Sequence, residues 1–259
     1  MAAAVGCRTR MESKTAPRAA KTFVLVHGAW HGGWCWREVV ASLSAKGHRV
    51  FAPSLTGVGD RAHLFGPSVN LATHVEDIVT LIEMEQVEGC TLVGHSYGGN
   101  VITGVADRLR SQVGHYVFLD AVVPPDSVTS WSWSDFNTPQ EKAAREKRIQ
   151  DQGGRGPGLP AYPPSVFAVT EPAQAAWVAR NLRPMPAGTY LEPISLKNGG
   201  SKGLNRTYIA CVKPPYVPLV PTADRIKKDP SWRFTTIDCG HDSMVIAPQM
   251  LTDLLLALG

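Results

Sequence analysis

The chain has 259 residues, 44% of them hydrophobic and 19% charged, with a formal net charge of +4. That length allows one large α/β domain with an insertion, and no apolar run approaches the ~20 residues that span a bilayer, so a membrane protein is not indicated. The positive charge lies in residues 1–21, where Arg8, Arg10, Lys14, Arg18 and Lys21 face only Glu12; the neutral remainder gives no bulk signal for nucleic-acid binding. Residues 1–21 also lack the apolar stretch of a secretory signal and are read as a disordered leader. Cys7, Cys35, Cys90, Cys211 and Cys239 are scattered and contain no C-x-x-C spacing. They read as reduced thiols of a cytoplasmic protein rather than as a disulfide framework or a zinc site.

Thr22-Phe-Val-Leu-Val-His27 is a continuous apolar run suited to a strand buried on both faces. Trp36, Val39, Val40 and Leu43 then recur at helical spacing until Gly47, and Arg49–Ala52 predicts a second strand. Asn70 can cap a helix whose inner face is Leu71, Val75, Ile78, Val79 and Ile82. Cys90–Val93 predicts a third strand, followed by a sharp turn, a helix to about Arg110 and a strand over His115–Asp120. Strand and helix alternate, so the sheet should be parallel and doubly wound.

The alternation stops after Asp120 and resumes at Arg206–Val212. Residues 125–203 are predicted to form a helical cap inserted into a core made of 22–124 and 204–259. Within that insertion, Thr138-Pro139-Gln140-Glu141 is a capping box, and Thr170 can cap a second helix containing Trp177. Trp232–Ile237 predicts a last strand, and Leu251, Leu254, Leu255 and Leu258 mark a terminal helix. The sheet then has about six strands.

The chemistry is concentrated in Gly94-His95-Ser96-Tyr97-Gly98-Gly99, which joins a strand to a helix. A G-x-S-x-G turn in that setting strains the serine, exposes its Oγ above the sheet and aims helix N–H groups at it, so Ser96 is the candidate nucleophile. His241, in the loop after the last strand, is the candidate base. The backbone N–H of Tyr97 and that of Ala29, in the loop after the first strand, are the candidate oxyanion donors. His27 reads as a structural brace for that loop, and its spacing to His31 has no helical meaning, so no metal site is expected.

An orienting acid just past Val212 would be usual, but the chain there reads Lys213-Pro-Pro-Tyr-Val-Pro218. Asp120, at the carboxyl end of the preceding strand, is the preferred candidate, ahead of Asp126, Asp224, Asp238 and Asp242. Trp30, Trp131, Trp133 and Trp177 are candidates to line an apolar substrate pocket, with Phe136, Tyr162 and Phe167 beside them.

The motifs His27-Gly-Ala-Trp-His-Gly-Gly-Trp34, Gly94–Gly99 and Gly240-His-Asp-Ser-Met244 resemble the α/β-hydrolase superfamily, in its branch of hydroxynitrile lyases and methylesterases. The resemblance implies a Ser-His-Asp triad, no cofactor and ester hydrolysis. Plant members carry their acid after the later strand; one group of haloalkane dehalogenases carries it after the earlier one, which favours Asp120. The lyases use a lysine after the histidine and a threonine in the oxyanion loop, where this chain has Asp242 and Gly28. The expectation is therefore a carboxylic-ester hydrolase for small or medium hydrophobic esters, aromatic ones included. Its partner is the small-molecule ester, with no nucleic acid and no membrane, and a homodimer is left open. Hydroxynitrile-lyase-type C–C cleavage and a catalytically slow small-molecule receptor on the same fold are the alternatives.

Overall fold

The computed structural model describes residues 19–258, so the leader expected at 1–21 lies almost wholly outside the described residues. Strand β1 (Thr22–Val26) is apolar because both its faces are covered, and Phe23, Val24, Leu25 and Val26 are fully buried. A 3₁₀ turn leads into α1 (Arg37–Ala45), which ends where Gly47 adopts φ +84°. After β2 (Arg49–Phe51), helix α2 (Leu71–Met84) starts at a capping box in which the Asn70 side chain accepts from Thr73 N–H. β3 (Cys90–His95), α3 (Gly98–Arg108) and β4 (Val113–Leu119) follow.

The chain then leaves the sheet through β5 (Ser130–Trp131), α4 (Pro139–Asp151), α5 (Pro172–Asn181), α6 (Gly188–Leu191) and β6 (Ile194–Ser195). It returns as β7 (Arg206–Cys211), α7 (Val220–Lys227) and β8 (Arg233–Ile237), and finishes with α8 (Ser243–Ile246) and α9 (Pro248–Leu258).

The main sheet has six strands in the order β2-β1-β3-β4-β7-β8, and every neighbouring pair is parallel. Helix α1 packs against α9, and α2 against α3. The strand order reverses between β1 and β3, with Val26 in register with Gly94. At such a switch point the loops leaving two adjacent strands diverge and open a crevice at their carboxyl ends. The loop after β1 and the turn after β3 meet there.

Two expectations for residues 125–203 need correction. The α5 cap is Glu171 rather than Thr170: Pro172 occupies the first helical position, and the Glu171 carboxylate accepts from the N–H groups of Ala173 (3.1 Å) and Gln174 (2.7 Å). The segment is also not purely helical. Strands β5 and β6 form an antiparallel ladder pairing Trp131 with Ile194, too short to leave a periodic signal. Among the described residues, no helix is long and apolar enough to cross a membrane, and Cys35, Cys90, Cys211 and Cys239 are free.

Candidate active site

Ser96 stands between β3 and α3 at φ +52°, a left-handed conformation that costs a residue with a side chain ~1–3 kcal/mol unless its surroundings enforce it. Here they do. Ser96 N–H donates to Leu119 O (3.2 Å), while Ser96 O accepts from Gly99 N–H (3.1 Å) and Val122 N–H (3.0 Å). The turn closes tightly enough that a β-carbon on Gly94 would lie 2.7 Å from Gly98 O, and one on Gly98 would lie 2.9 Å from the carbonyl oxygens of Val26 and His27, which explains glycine at both positions. Tyr97 is the N-cap of α3, so its N–H belongs to the unpaired donors of a helix start. Its hydroxyl donates to His74 Nδ1 (3.0 Å), whose Nε2–H donates in turn to Thr56 O (2.8 Å). Burial lowers the His74 pKa to about 4, keeping that ring neutral.

Asp120 follows β4 directly at φ +39°, with its N–H bonded to Ile209 O on the neighbouring strand (2.7 Å). Its Oδ1 accepts from Cys211 N–H (3.3 Å) and its Oδ2 accepts from His241 Nδ1–H at 2.6 Å. Both side chains are almost completely buried. An acceptor on Nδ1 selects the Nδ1–H tautomer and leaves Nε2 as the basic nitrogen. The His241 ring is clamped by Tyr216, stacked at 4.2 Å, and by His95 at 4.6 Å. His95 Nε2–H donates to His241 O (3.0 Å), and burial holds the His95 pKa well below its ordinary value.

The loop after β1 is braced by two further imidazoles. His27 Nδ1–H donates to Gly28 O (2.8 Å) and its Nε2 accepts from Leu55 N–H (3.0 Å), with burial lowering its pKa to about 3. Because the peptide is planar and trans, fixing Gly28 C=O toward His27 turns Ala29 N–H the opposite way. Gly28 itself packs so closely on the elbow that a β-carbon there would lie 2.9 Å from Ser96 Cβ.

His31 donates from both nitrogens, to Ala29 O (2.8 Å) and to Asp242 Oδ2 (3.0 Å), which is the pattern of an imidazolium. Burial alone would depress its pKa, but the Asp242 carboxylate more than reverses this and raises it. The buried ion pair ties the oxyanion loop to the loop carrying His241.

A cavity of about 490 Å³ opens over Ser96, walled by Trp30, Trp133, Phe136, Tyr162 and Tyr216 among others. Trp30, at φ +67°, donates its indole N–H to Leu159 O (3.1 Å) and packs against Trp133, Tyr162 and Phe167. A larger depression of about 630 Å³, lined by Trp34, Arg37, Asp60 and Arg183 among others, contains no serine, cysteine or histidine.

The structure does not bring two expected pocket residues to this cavity. Trp131 sits on β5 with its indole N–H on Asn100 Oδ1 (2.8 Å), held against α3. Trp177 packs edge-on to Trp34 (5.0 Å) and beneath the Arg37 guanidinium (4.7 Å), outside the cavity wall. Sequence reasoning in turn missed Tyr216, His95 and the His31–Asp242 pair. The signal for Tyr216 is that it is the aromatic residue of Lys213–Pro218, the stretch that in other members carries the acid. Among the described residues no cluster of three or more histidine, cysteine or acidic side chains could hold a metal.

A parallel sheet with a serine elbow after its third strand and a histidine loop after its last strand defines the α/β hydrolases, and the chain belongs to that family, which it matches over residues 23–254. It is 40% identical over 243 residues to the carbendazim hydrolyzing esterase of Nocardioides sp. (strain SG-4G), covering 92% of this chain and 99% of that one. It is 28% identical over 257 residues to methylesterase 2 of Arabidopsis thaliana, covering 91% and 95%. Among solved structures, an extracellular α/β-hydrolase from a Paenibacillus species superposes with a TM-score of 0.77 at 24% identity, over 92% of this chain and 99% of that one, which shows the shared fold.

Proposed function

We propose that this protein is a serine-dependent carboxylic-ester hydrolase acting on small or medium hydrophobic esters, with residues 125–203 as a cap over the site. Ser96 Oγ attacks the ester carbonyl as its proton passes to His241 Nε2. Asp120 holds the imidazole in the required tautomer and stabilises the imidazolium. The Ala29 and Tyr97 N–H groups receive the negative charge that develops on the carbonyl oxygen. The intermediate collapses with transfer of the His241 proton to the departing alcohol, leaving an acyl group on Ser96. Water, deprotonated by His241, attacks that acyl group and releases the acid.

The observation that carries this reading is the buried 2.6 Å contact between Asp120 and His241, joining residues far apart in sequence behind a strained serine. The kinship with an esterase and a methylesterase supports it, and the free buried thiols support a cytoplasmic location. Lyase chemistry is opposed by Gly28, where a threonine Cβ would collide with Ser96, and by Asp242, an acid where cyanide release calls for a cation.

A series of p-nitrophenyl esters of increasing acyl length, with mandelonitrile alongside, tests the assignment. Ester turnover should exceed cyanide release, and Ser96→Ala should lose on the order of 10⁶ in kcat. A folded Ser96→Ala protein that keeps more than a few per cent of its ester turnover would contradict it.

A further inference from the structure

The wall of the Ser96 cavity is mostly apolar and carries two charged side chains, Glu141 and Arg145. Glu141 is already engaged: its Oε2 accepts from Thr138 N–H (2.9 Å) and from Thr138 Oγ1–H (2.9 Å), closing the capping box at the start of α4. Arg145, one helical turn further on, is different. Among the described residues it has no carboxylate within ion-pair range. Its one hydrogen bond is a long contact from Nη2–H to the Tyr162 hydroxyl (3.3 Å).

The guanidinium is nevertheless held in place. It lies over the ring of Tyr190 (4.9 Å) and near that of Trp133 (5.8 Å), contacts that hold the cation by its face and use none of its N–H donors. A rigid fork of open donors on an apolar wall matches a carboxylate, which it can take in a bidentate pair.

We propose that Arg145 is a specificity-determining residue that receives a free carboxylate on the part of the substrate that is not cleaved, so that half-esters of dicarboxylic acids are preferred over the corresponding neutral diesters. The inference rests on the esterase reading and adds the substrate class. Glu141 works against the anion from the same helix, so its charge tempers the preference that Arg145 creates.

The test compares benzyl half-esters of glutaric, adipic and terephthalic acids with their methyl benzyl diesters, reading benzyl alcohol release. The ratio of kcat/KM for half-ester over diester cancels any difference in the folded fraction of a variant. In the wild type at least one ratio should exceed ~10, the scale set by a hydrogen bond to a charged group. Arg145→Met should lower that ratio at least tenfold, Arg145→Lys should restore part of it, and Glu141→Gln should raise it. Wild-type ratios that stay below ~10 for every half-ester, or a ratio that survives Arg145→Met, would overturn the inference while leaving ester hydrolysis intact. Absence of turnover on all half-esters, diesters and p-nitrophenyl esters would instead remove the esterase reading, and this inference with it.

Discussion

Ser96, Asp120 and His241 stand just beyond the ends of β3, β4 and β8, whereas Trp133, Phe136, Arg145 and Tyr162 come from short turns and one helix in the inserted segment. The first group is positioned by backbone: Asp120 N–H and Ser96 N–H are both hydrogen-bonded to adjacent strands. The second is positioned by side chains, through the ring contacts among Trp30, Trp133, Tyr162 and Tyr190. Parallel strands fix the triad to a hydrogen-bond ladder, while the aromatic wall rests on side-chain packing, with Tyr216 joining the two by stacking on His241. Substitutions at the strand ends should therefore change kcat, and substitutions in the wall should change substrate discrimination.

After loss of the serine itself, the largest expected effect is at Asp120. Asp120→Asn should reduce kcat by at least ~10³ near neutral pH with KM little altered, because the acid acts through His241 and does not touch substrate. Near-normal turnover in the folded variant would move the orienting role elsewhere.

His31→Ala tests the link between the two halves of the machinery. It strips the partner from the buried Asp242 carboxylate and should cost about 3 kcal/mol in denaturant unfolding. The His31 pKa is raised in the folded protein, so the pair's stabilisation is fully present below the ordinary value of 6.5 and is lost as pH rises through the raised value. The gap between wild type and variant should accordingly narrow in alkaline buffer; a gap that widens there would contradict the pairing.

The buried neutral histidines have the opposite sign. His27 and His74 fall from 6.5 to about 3 and about 4, so the unfolded chain takes up protons first as pH drops below 6.5. Each should contribute a loss of stability approaching ~1.4 kcal/mol per pH unit between those values. His74→Gln should remove about one proton from that slope, measured by urea unfolding between pH 6.5 and pH 4.5. An unchanged slope would show that His74 is charged in the folded state.

The smallest effects separate residues within the aromatic set. Trp133→Ala should raise KM for a hydrophobic ester about tenfold, by removing cavity wall. Trp177→Ala should stay within about threefold in both constants, since that ring packs on Trp34 and Arg37. Equal effects of the two would mean that the cavity extends across α5.

The strand-end residues were legible because each leaves a local mark. Ser96 needs flanking glycines, His241 follows the last apolar run, and Asp120 becomes the candidate acid because Lys213–Pro218 offers none. The wall left weaker marks. Nothing in composition distinguishes Trp133, which faces the cavity, from Trp131, which does not, because a turn and a two-residue ladder have no period from which to read a side; Trp177 lies on α5, whose period gives it a face but not what that face meets. The His31–Asp242 pair was illegible for another reason: its members are 211 residues apart and meet only once β1 and β8 lie in one sheet. The choice between Thr170 and Glu171 could have been made from the chain itself, since Pro172 marks the first helical position.

Ser96 is proposed as the nucleophile of an ester-cleaving site. Titration with a serine-directed organophosphate such as diethyl p-nitrophenyl phosphate, followed by intact-mass and peptide mapping, tests it most directly. A single diethylphosphoryl adduct should appear on Ser96, forming in step with the loss of esterase activity and absent from Ser96→Ala. Full modification of Ser96 with activity retained, or inactivation with the adduct on another residue, would contradict it.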